Sequence, residues 1–220
     1  MLESKSALRS FQRLGKLLQF DRRLLRRHKL RGQSLAGLDE VGRGPLAGPV
    51  VASAVILHRT SFTTPIDDSK RLTPRAREAA YRQILSSADI GIGFVDPEEI
   101  DRLKIQAACQ LAMLRALKRL PLSPALVLID GIWVPSGCPF PSVPIVHGDS
   151  RSLVIACASI VAKVVRDRLM RRIHRLLPVY GFHRHKGYGT AEHLQALRTV
   201  GPSFLHRYSF QPVKGIIPLE

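Results

Sequence analysis

Apolar and polar positions follow two different periods along the chain, and the switches between them mark out its elements. Apolar runs over 35–38, 50–57 and 125–129 predict buried strands. Ile90, Ile92 and Phe94 alternate with other residues as a half-buried strand would, and 143–146 predicts one more short strand. Helix starts are marked by their caps. Thr73-Pro74 places a capping hydroxyl before a proline at the first helical position. Asp96-Pro97-Glu98-Glu99 has capping-box spacing and opens a helical region that continues through 107–119. A long helix is predicted over 153–177, and a last one from Thr190 to the stop signal Gly201-Pro202. Pro135, Pro139, Pro141 and Pro144 make 131–146 a loop or a sheet edge. Strands come first and then alternate with helices, which predicts an α/β fold: a mixed sheet flanked by helices.

The first 34 residues have a different texture. They hold ten Lys/Arg against two acids, Glu3 and Asp21, while Leu8, Phe11, Leu14, Leu17 and Leu18 recur at helical spacing. A basic N-terminal extension (1–34), helical in part, is expected ahead of a domain over 35–220. The extension reads as a phosphate clamp, as an Arg-rich, acid-poor transit segment, or as a solvated helix packed on the domain. The whole chain of 220 residues carries a formal charge of +17, which selects polyanions as partners, nucleic acid first. Between 163 and 186 there are eight Lys/Arg and one acid, with Arg168, Arg171, Arg172 and Arg175 at helical spacing. That stripe reads as a phosphate track or a solvated face. His174, His183 and His185 lie in the same stretch without an acidic or cysteine partner at zinc-like spacing.

Cys109, Cys138 and Cys157 are odd in number and far apart, which suits a reducing compartment better than a disulfide scaffold. No apolar run is long enough to span a bilayer, and the N-terminus lacks the apolar core of a signal peptide. A soluble, cytoplasmic monomer that does not engage membranes is expected.

In so basic a chain, acids at strand ends stand out. Asp39-Glu40 follow the strand at 35–38 and precede a glycine turn; Asp130 follows the strand at 125–129 and precedes Gly131. Sites in α/β sheets form where strands end. Asp167 is a further candidate on the long helix, four residues after Lys163 and eight after Ser159, all on one face. Clustered carboxylates raise one another's pKa and suit Mg²⁺ or Mn²⁺, two of which about 4 Å apart can promote phosphodiester cleavage. Singly, each acid could equally serve as an ion-pair partner or a cap. Neighbours on a regular strand face opposite ways, so either the strand ends before Asp39-Glu40 or one of them acts through its backbone or a water.

The run Asp39-Glu40-Val41-Gly42-Arg43-Gly44-Pro45-Leu46-Ala47-Gly48-Pro49-Val50-Val51 resembles the opening signature of the type 2 ribonuclease H family, ribonuclease HII in bacteria. Four more motifs resemble that family in order: Asp68-Ser69-Lys70-Arg71-Leu72, then Leu128-Ile129-Asp130-Gly131. Gly148-Asp149-Ser150 with Ala158-Ser159-Ile160-Val161-Ala162-Lys163-Val164-Val165-Arg166-Asp167 follows, and His185-Lys186-Gly187-Tyr188-Gly189-Thr190 is the last. Cys157 stands where the family usually has alanine, and Val154 where serine or glutamate is common.

The resemblance implies a ribonuclease H-like mixed sheet with a helical C-terminal part, and an endonuclease. Its substrates would be RNA–DNA hybrids and DNA with embedded ribonucleotides, cut 5′ of the ribonucleotide to leave 3′-hydroxyl and 5′-phosphate ends. It implies that Asp39, Glu40, Asp130 and Asp167 hold the catalytic Mg²⁺ or Mn²⁺. It also implies that Gly42, Arg43 and Gly44 read the ribose 2′-hydroxyl, that Tyr188 contacts the ribonucleotide, and that Lys70, Lys163 and Lys186 lie near substrate phosphates. A backbone can approach a ligand closely only where side chains are absent, and the 2′-hydroxyl is what separates RNA from DNA. Two other readings remain: a nucleic-acid binder without catalysis, which chelator-sensitive cleavage would exclude, and a DNA-cutting relative on the same fold, which cleavage of all-DNA duplex would reveal.

Overall fold

The computed structural model describes the backbone of residues 2–216 and the side chains of residues 11–216. The side chain of Leu8 and residues 217–220 lie outside the described residues. Five strands form one mixed sheet: β1 (Leu35–Val41), β2 (Val50–Leu57), β3 (Ala88–Val95), β4 (Leu126–Asp130) and β5 (Ser142–Ile145), in the order β3-β2-β1-β4-β5. β1 is antiparallel to β2 and parallel to β4. β5 is the edge strand, where Pro144 is tolerated opposite Ile129.

Helices cover both faces. α3 (Pro97–Lys118) packs on one side, where Ala36, Leu38, Ala52, Ala54, Val127 and Ile129 meet Ala108, Ala112 and Ala116. α4 (Leu153–Leu176) packs on the other, with Val154 and Ile155 against Leu35, Leu126 and Leu128. The approach is close because glycine lies at the contact: a Cβ at Gly37 would stand 2.1 Å from the Val154 carbonyl carbon. α2 (Pro74–Leu85) begins at the Thr73 cap, and the Asp96–Glu99 capping box opens α3. α3 is broken at Lys104, whose φ of 67° is not helical, so the capped start and the body at 107–119 form two helical pieces.

The basic N-terminal segment is helical, α1 (Leu2–Arg27), and its described apolar face is used. Leu14 and Leu17 are buried in the cluster formed by α2 and α4, while Phe11 is exposed. α5 (Phe182–His185) and α6 (Ala191–Val200) make up the helical C-terminal part, which surrounds Phe182, Tyr180 and Leu197.

Candidate active site

β1 does not stop at Leu38. It continues to Val41, with Asp39 opposite Ser53 and Glu40 opposite Ala52. The two acids therefore point to opposite faces of the sheet. Asp39 faces α4 and its Ser159 hydroxyl. Glu40 faces α3 and lines a cleft of about 300 Å³ with Gln106, Cys109 and Met113. Asp130, at the end of the neighbouring parallel strand β4, lines that cleft too and presses electrostatically on both acids. Its Oδ1 accepts a 2.6 Å hydrogen bond from the Gly148 amide. That amide opens a single 3-10 turn (Gly148–Ser150), which brings in a fourth carboxylate, Asp149.

Burial pushes the Asp39 carboxyl well above the ordinary aspartate range, and Glu40, Asp130 and Asp149 push it further, against some relief from Ser159. Glu40 is raised by burial with help from Asp130, although Arg43 works the other way. Asp149 is raised by burial and then by Asp130 and Asp68. Lys70 sits 3.6 Å from Asp149. Burial disfavours its ammonium, but Asp149, Asp68, Asp39 and Asp130 outweigh that and hold its pKa above the usual lysine value. The four acids are neighbours in an open array; among the described residues, no three His, Cys, Asp or Glu side chains are already closed around one point.

Asp167, the further acid expected from the resemblance, sits in a different setting, between cations. It accepts a 2.7 Å bond from Lys163 and lies 3.7 Å from Arg77. α4 runs past the end of β1, and Asp167 is eight residues beyond Ser159, about 12 Å along the axis at the rise of an α-helix. Lys163 is thus engaged in an ion pair. The Lys186 ammonium donates to the His183 carbonyl, and burial together with nearby cations lowers its pKa despite Asp167. In the predicted basic stripe, Arg171, Arg172 and Arg175 are exposed, whereas Arg168 pairs with Glu78 and lies over the Tyr81 ring.

The loop between β1 and β2 is set by two fully buried arginines. Arg207 donates to the carbonyls of Gly42 (2.6 Å), Arg43 (2.9 Å) and Gly48 (2.9 Å). Arg166 donates to those of Ala47 (3.1 Å), Pro49 (2.9 Å) and Lys186 (3.0 Å). Burial lowers both guanidinium pKa values, to about 9 for Arg207 and about 10 for Arg166. In a trans peptide the N–H points opposite to the preceding C=O. With the carbonyls of Gly42 and Arg43 drawn onto Arg207, the amides of Arg43 and Gly44 face away from it. Gly42 has a φ of 98°, and a Cβ there would collide with Arg166 at 2.5 Å, so the turn requires glycine. A Cβ at Gly44 would stand 3.8 Å from the ring of Tyr188, which is 42% exposed. Tyr188 is fixed there because the preceding Gly187 carbonyl accepts from the Leu46 amide at 2.8 Å.

Three groups emerge: the acids Asp39, Glu40, Asp130 and Asp149 with Lys70; Gly42, Arg43 and Gly44 with Tyr188; and the ion-paired Asp167 with Lys163. Sequence reasoning did not place Asp149 beside the other acids, although the residue sits in a quoted motif just before the α4 cap. It also missed Arg207, for which no local signal exists, and Trp133, a 64% exposed aromatic lining the cleft beside Asp130.

A sheet of this order with carboxylates at the ends of its two central strands defines a ribonuclease H type of fold, and solved structures agree. The chain is similar to the ribonuclease H2 from Pyrococcus horikoshii OT3, with a TM-score of 0.68 and 22% identity, covering 83% of this chain and 96% of that one. It is also similar to a Bst-RNase HIII in complex with Mn²⁺, with a TM-score of 0.70 and 21% identity, covering 86% and 70%. The ribonuclease HII family model matches residues 36–213. Ribonuclease HII of Chlamydia trachomatis serovar A is 51% identical over 185 residues, covering 83% of this chain and 84% of that protein. Ribonuclease HII of Geobacillus kaustophilus is 47% identical over 207 residues, covering 94% and 78%, an alignment long enough to reach back into α1. The chain belongs to the ribonuclease HII family, and with it to the endonucleolytic hydrolases of ribonuclease H type.

Proposed function

We propose that this enzyme hydrolyses the RNA strand of RNA–DNA hybrids and cuts on the 5′ side of ribonucleotides embedded in duplex DNA, leaving 3′-hydroxyl and 5′-phosphate ends. The observation that carries the reading is the adjacency of two of the three groups: a four-carboxylate cluster opens beside a loop whose amides and neighbouring tyrosine can test a sugar. Asp39, Glu40, Asp130 and Asp149 would hold Mg²⁺ or Mn²⁺. The fit rests on chemistry: an all-oxygen donor set of hard ligands, whose mutual repulsion a divalent cation would relieve. What such ions supply when bound is Lewis-acid polarisation of the phosphate and support for the leaving oxygen.

The chain's own groups do the positioning. The amides of Arg43 and Gly44 are free to donate to, and the backbone to accept from, a 2′-hydroxyl, a contact that a deoxy sugar cannot return. Tyr188, braced against Gly44, contacts the ribonucleotide and stacks on the adjoining deoxy sugar. Lys70, held at the edge of the acid cluster by Asp149, meets a phosphate oxygen. Lys163 and Lys186 are already engaged and act on the phosphates chiefly through their field, while the exposed Arg171, Arg172 and Arg175 extend a sequence-independent track.

The test is a panel of duplexes that differ only in the number of consecutive ribonucleotides, with fragment ends mapped at single-nucleotide resolution. Cleavage 5′ of the lone ribonucleotide, dependent on added divalent ion, is expected. Cutting of all-DNA duplex at a similar rate would overturn the reading.

A further inference from the structure

α1 lies outside the residues matched by the family model, yet it is fastened to the one turn that carries Asp149. Three contacts make the attachment. The Arg13 guanidinium donates to the Ser150 carbonyl at 2.7 Å. Arg151 lies over the Phe20 ring, 5.0 Å from its centroid. Asp21, buried in α1, accepts from the Val154 amide at 3.1 Å, in the first turn of α4. The segment 150–154 is therefore gripped from behind, immediately after Asp149.

Arg13 does more than grip that turn. Its Nε and Nη2 also donate to Asp67 Oδ1, at 3.0 and 2.7 Å. The same carboxylate oxygen accepts from the Asp68 amide at 2.9 Å, at the head of the loop that presents Ser69 and Lys70. One guanidinium thus ties together the two loops that also meet in the Lys70–Asp149 pair. The Ser69 loop has other fastenings, to Ser159 at 2.9 Å and to Arg77 at 2.8 Å. Among the described residues, Arg13 is the side chain that joins it to the Asp149 turn from α1.

We propose that Arg13 is a positioning residue: by bridging Asp67 and the Ser150 carbonyl, it fixes where Asp149 stands relative to Lys70 and the other three acids, so that α1 sets the affinity of the carboxylate cluster for divalent ions. Residues that orient metal ligands from outside the ligand set commonly change affinity about 10–100-fold when removed. A guanidinium suits the task because its planar fork serves two acceptors at once, which a lysine ammonium on a flexible stem does worse. The inference rests on the reading of Asp149 as a ligand. It competes with a simpler role for α1, in which its positive charge only attracts the duplex.

The experiment measures Mn²⁺ binding to the full-length, substrate-free protein by calorimetry or electron paramagnetic resonance, alongside duplex affinity and the divalent-ion dependence of cleavage. Arg13→Ala should weaken Mn²⁺ binding about tenfold and raise the ion concentration for half-maximal cleavage in step, while excess ion restores the rate. Arg26→Ala removes an equal charge from the exposed side of the same helix and should change neither quantity. Arg13→Lys keeps the charge and should fall between parent and Arg13→Ala; it carries the test if the alanine variant does not fold. Unchanged Mn²⁺ affinity in both Arg13 variants overturns the proposal. So does a loss confined to duplex affinity and shared by Arg26→Ala, which is the signature of a charge-only helix. Asp149→Asn separates the two claims. If that variant binds Mn²⁺ like the parent, the ligand reading fails and the bridge with it; if it loses affinity while Arg13→Ala does not, the bridge alone fails.

Discussion

Asp39, on β1 facing α4, and Asp167, on α4, are buried to nearly the same depth, 6% and 8% exposed, yet they live in opposite environments. Around Asp39 the nearest charges are other carboxylates. Around Asp167 they are Lys163 and Arg77. Burial alone therefore says little about what an acid is for; the sign of its neighbours decides. A carboxylate among carboxylates is costly unless a cation arrives, whereas a carboxylate between two cations is already satisfied. The first setting suits a divalent cation; the second already carries its counter-charge.

The largest expected effect tests the first site. Asp39→Asn and Asp149→Asn should each lower turnover about 1000-fold, close to 4 kcal/mol of barrier, with duplex binding retained in a gel-shift assay. Undiminished cleavage by either variant would remove that acid from the ion site. Next comes the second site. Asp167→Asn leaves Lys163 and Arg77 without their anion and should destabilise the fold by about 3 kcal/mol, read from denaturant unfolding. Mn²⁺ affinity should stay at the parent value, and a collapse of that affinity would return Asp167 to the ligand set.

A third buried acid sharpens the contrast because it has neither kind of neighbour. Asp21 caps the start of α4, its Oδ1 has no partner among the described residues, and burial pushes its carboxyl up to about 7 from 3.8. Because the folded pKa is raised, the native state keeps a proton that the unfolded chain has lost. The associated stability is present below about pH 4 and is lost as pH rises toward 7. Asp21→Asn should therefore match the parent at pH 4 and exceed it increasingly as pH rises to 7. A stability difference that stays flat with pH would show that Asp21 ionises normally. The smallest effect concerns sugar sensing. Tyr188→Ala should slow cleavage at a lone ribonucleotide about tenfold, or about 1.4 kcal/mol, and long hybrids less; equal losses on both substrates would count against a role in reading the junction.

Much of the fold was legible because it depends on local signals. Thr73, Asp96 and Thr190 cap the helices they were read to cap, and the apolar runs became strands. The break at Lys104 was not legible, since nothing in its side chain demands a positive φ. Nor was the continuation of β1 through Asp39-Glu40, where cross-strand pairing with β2 overrides the polarity of the segment. The site divided in the same way. Acids at strand ends could be read, because a strand end is a local event. That Asp149 neighbours the strand-end acids while Asp167 lies between cations depends on how α4 packs over the sheet, closely at Gly37 and Val154, and no local signal carries it. The apolar face of α1 was visible, but its polar contacts with Asp67 and Ser150 join residues far apart in the chain and leave no local trace.

The grip of Arg207 on the carbonyls of Gly42 and Arg43 links residues far apart in the chain, 164 positions for the Arg43 contact. On a translating ribosome, Asp39, Glu40, Asp130 and Asp149 are all synthesised well before Arg207. A nascent chain thus possesses all four carboxylates of the cluster while the turn between β1 and β2 still lacks its clasp. The shape of that turn is therefore set only after the acids of the cluster have all been made.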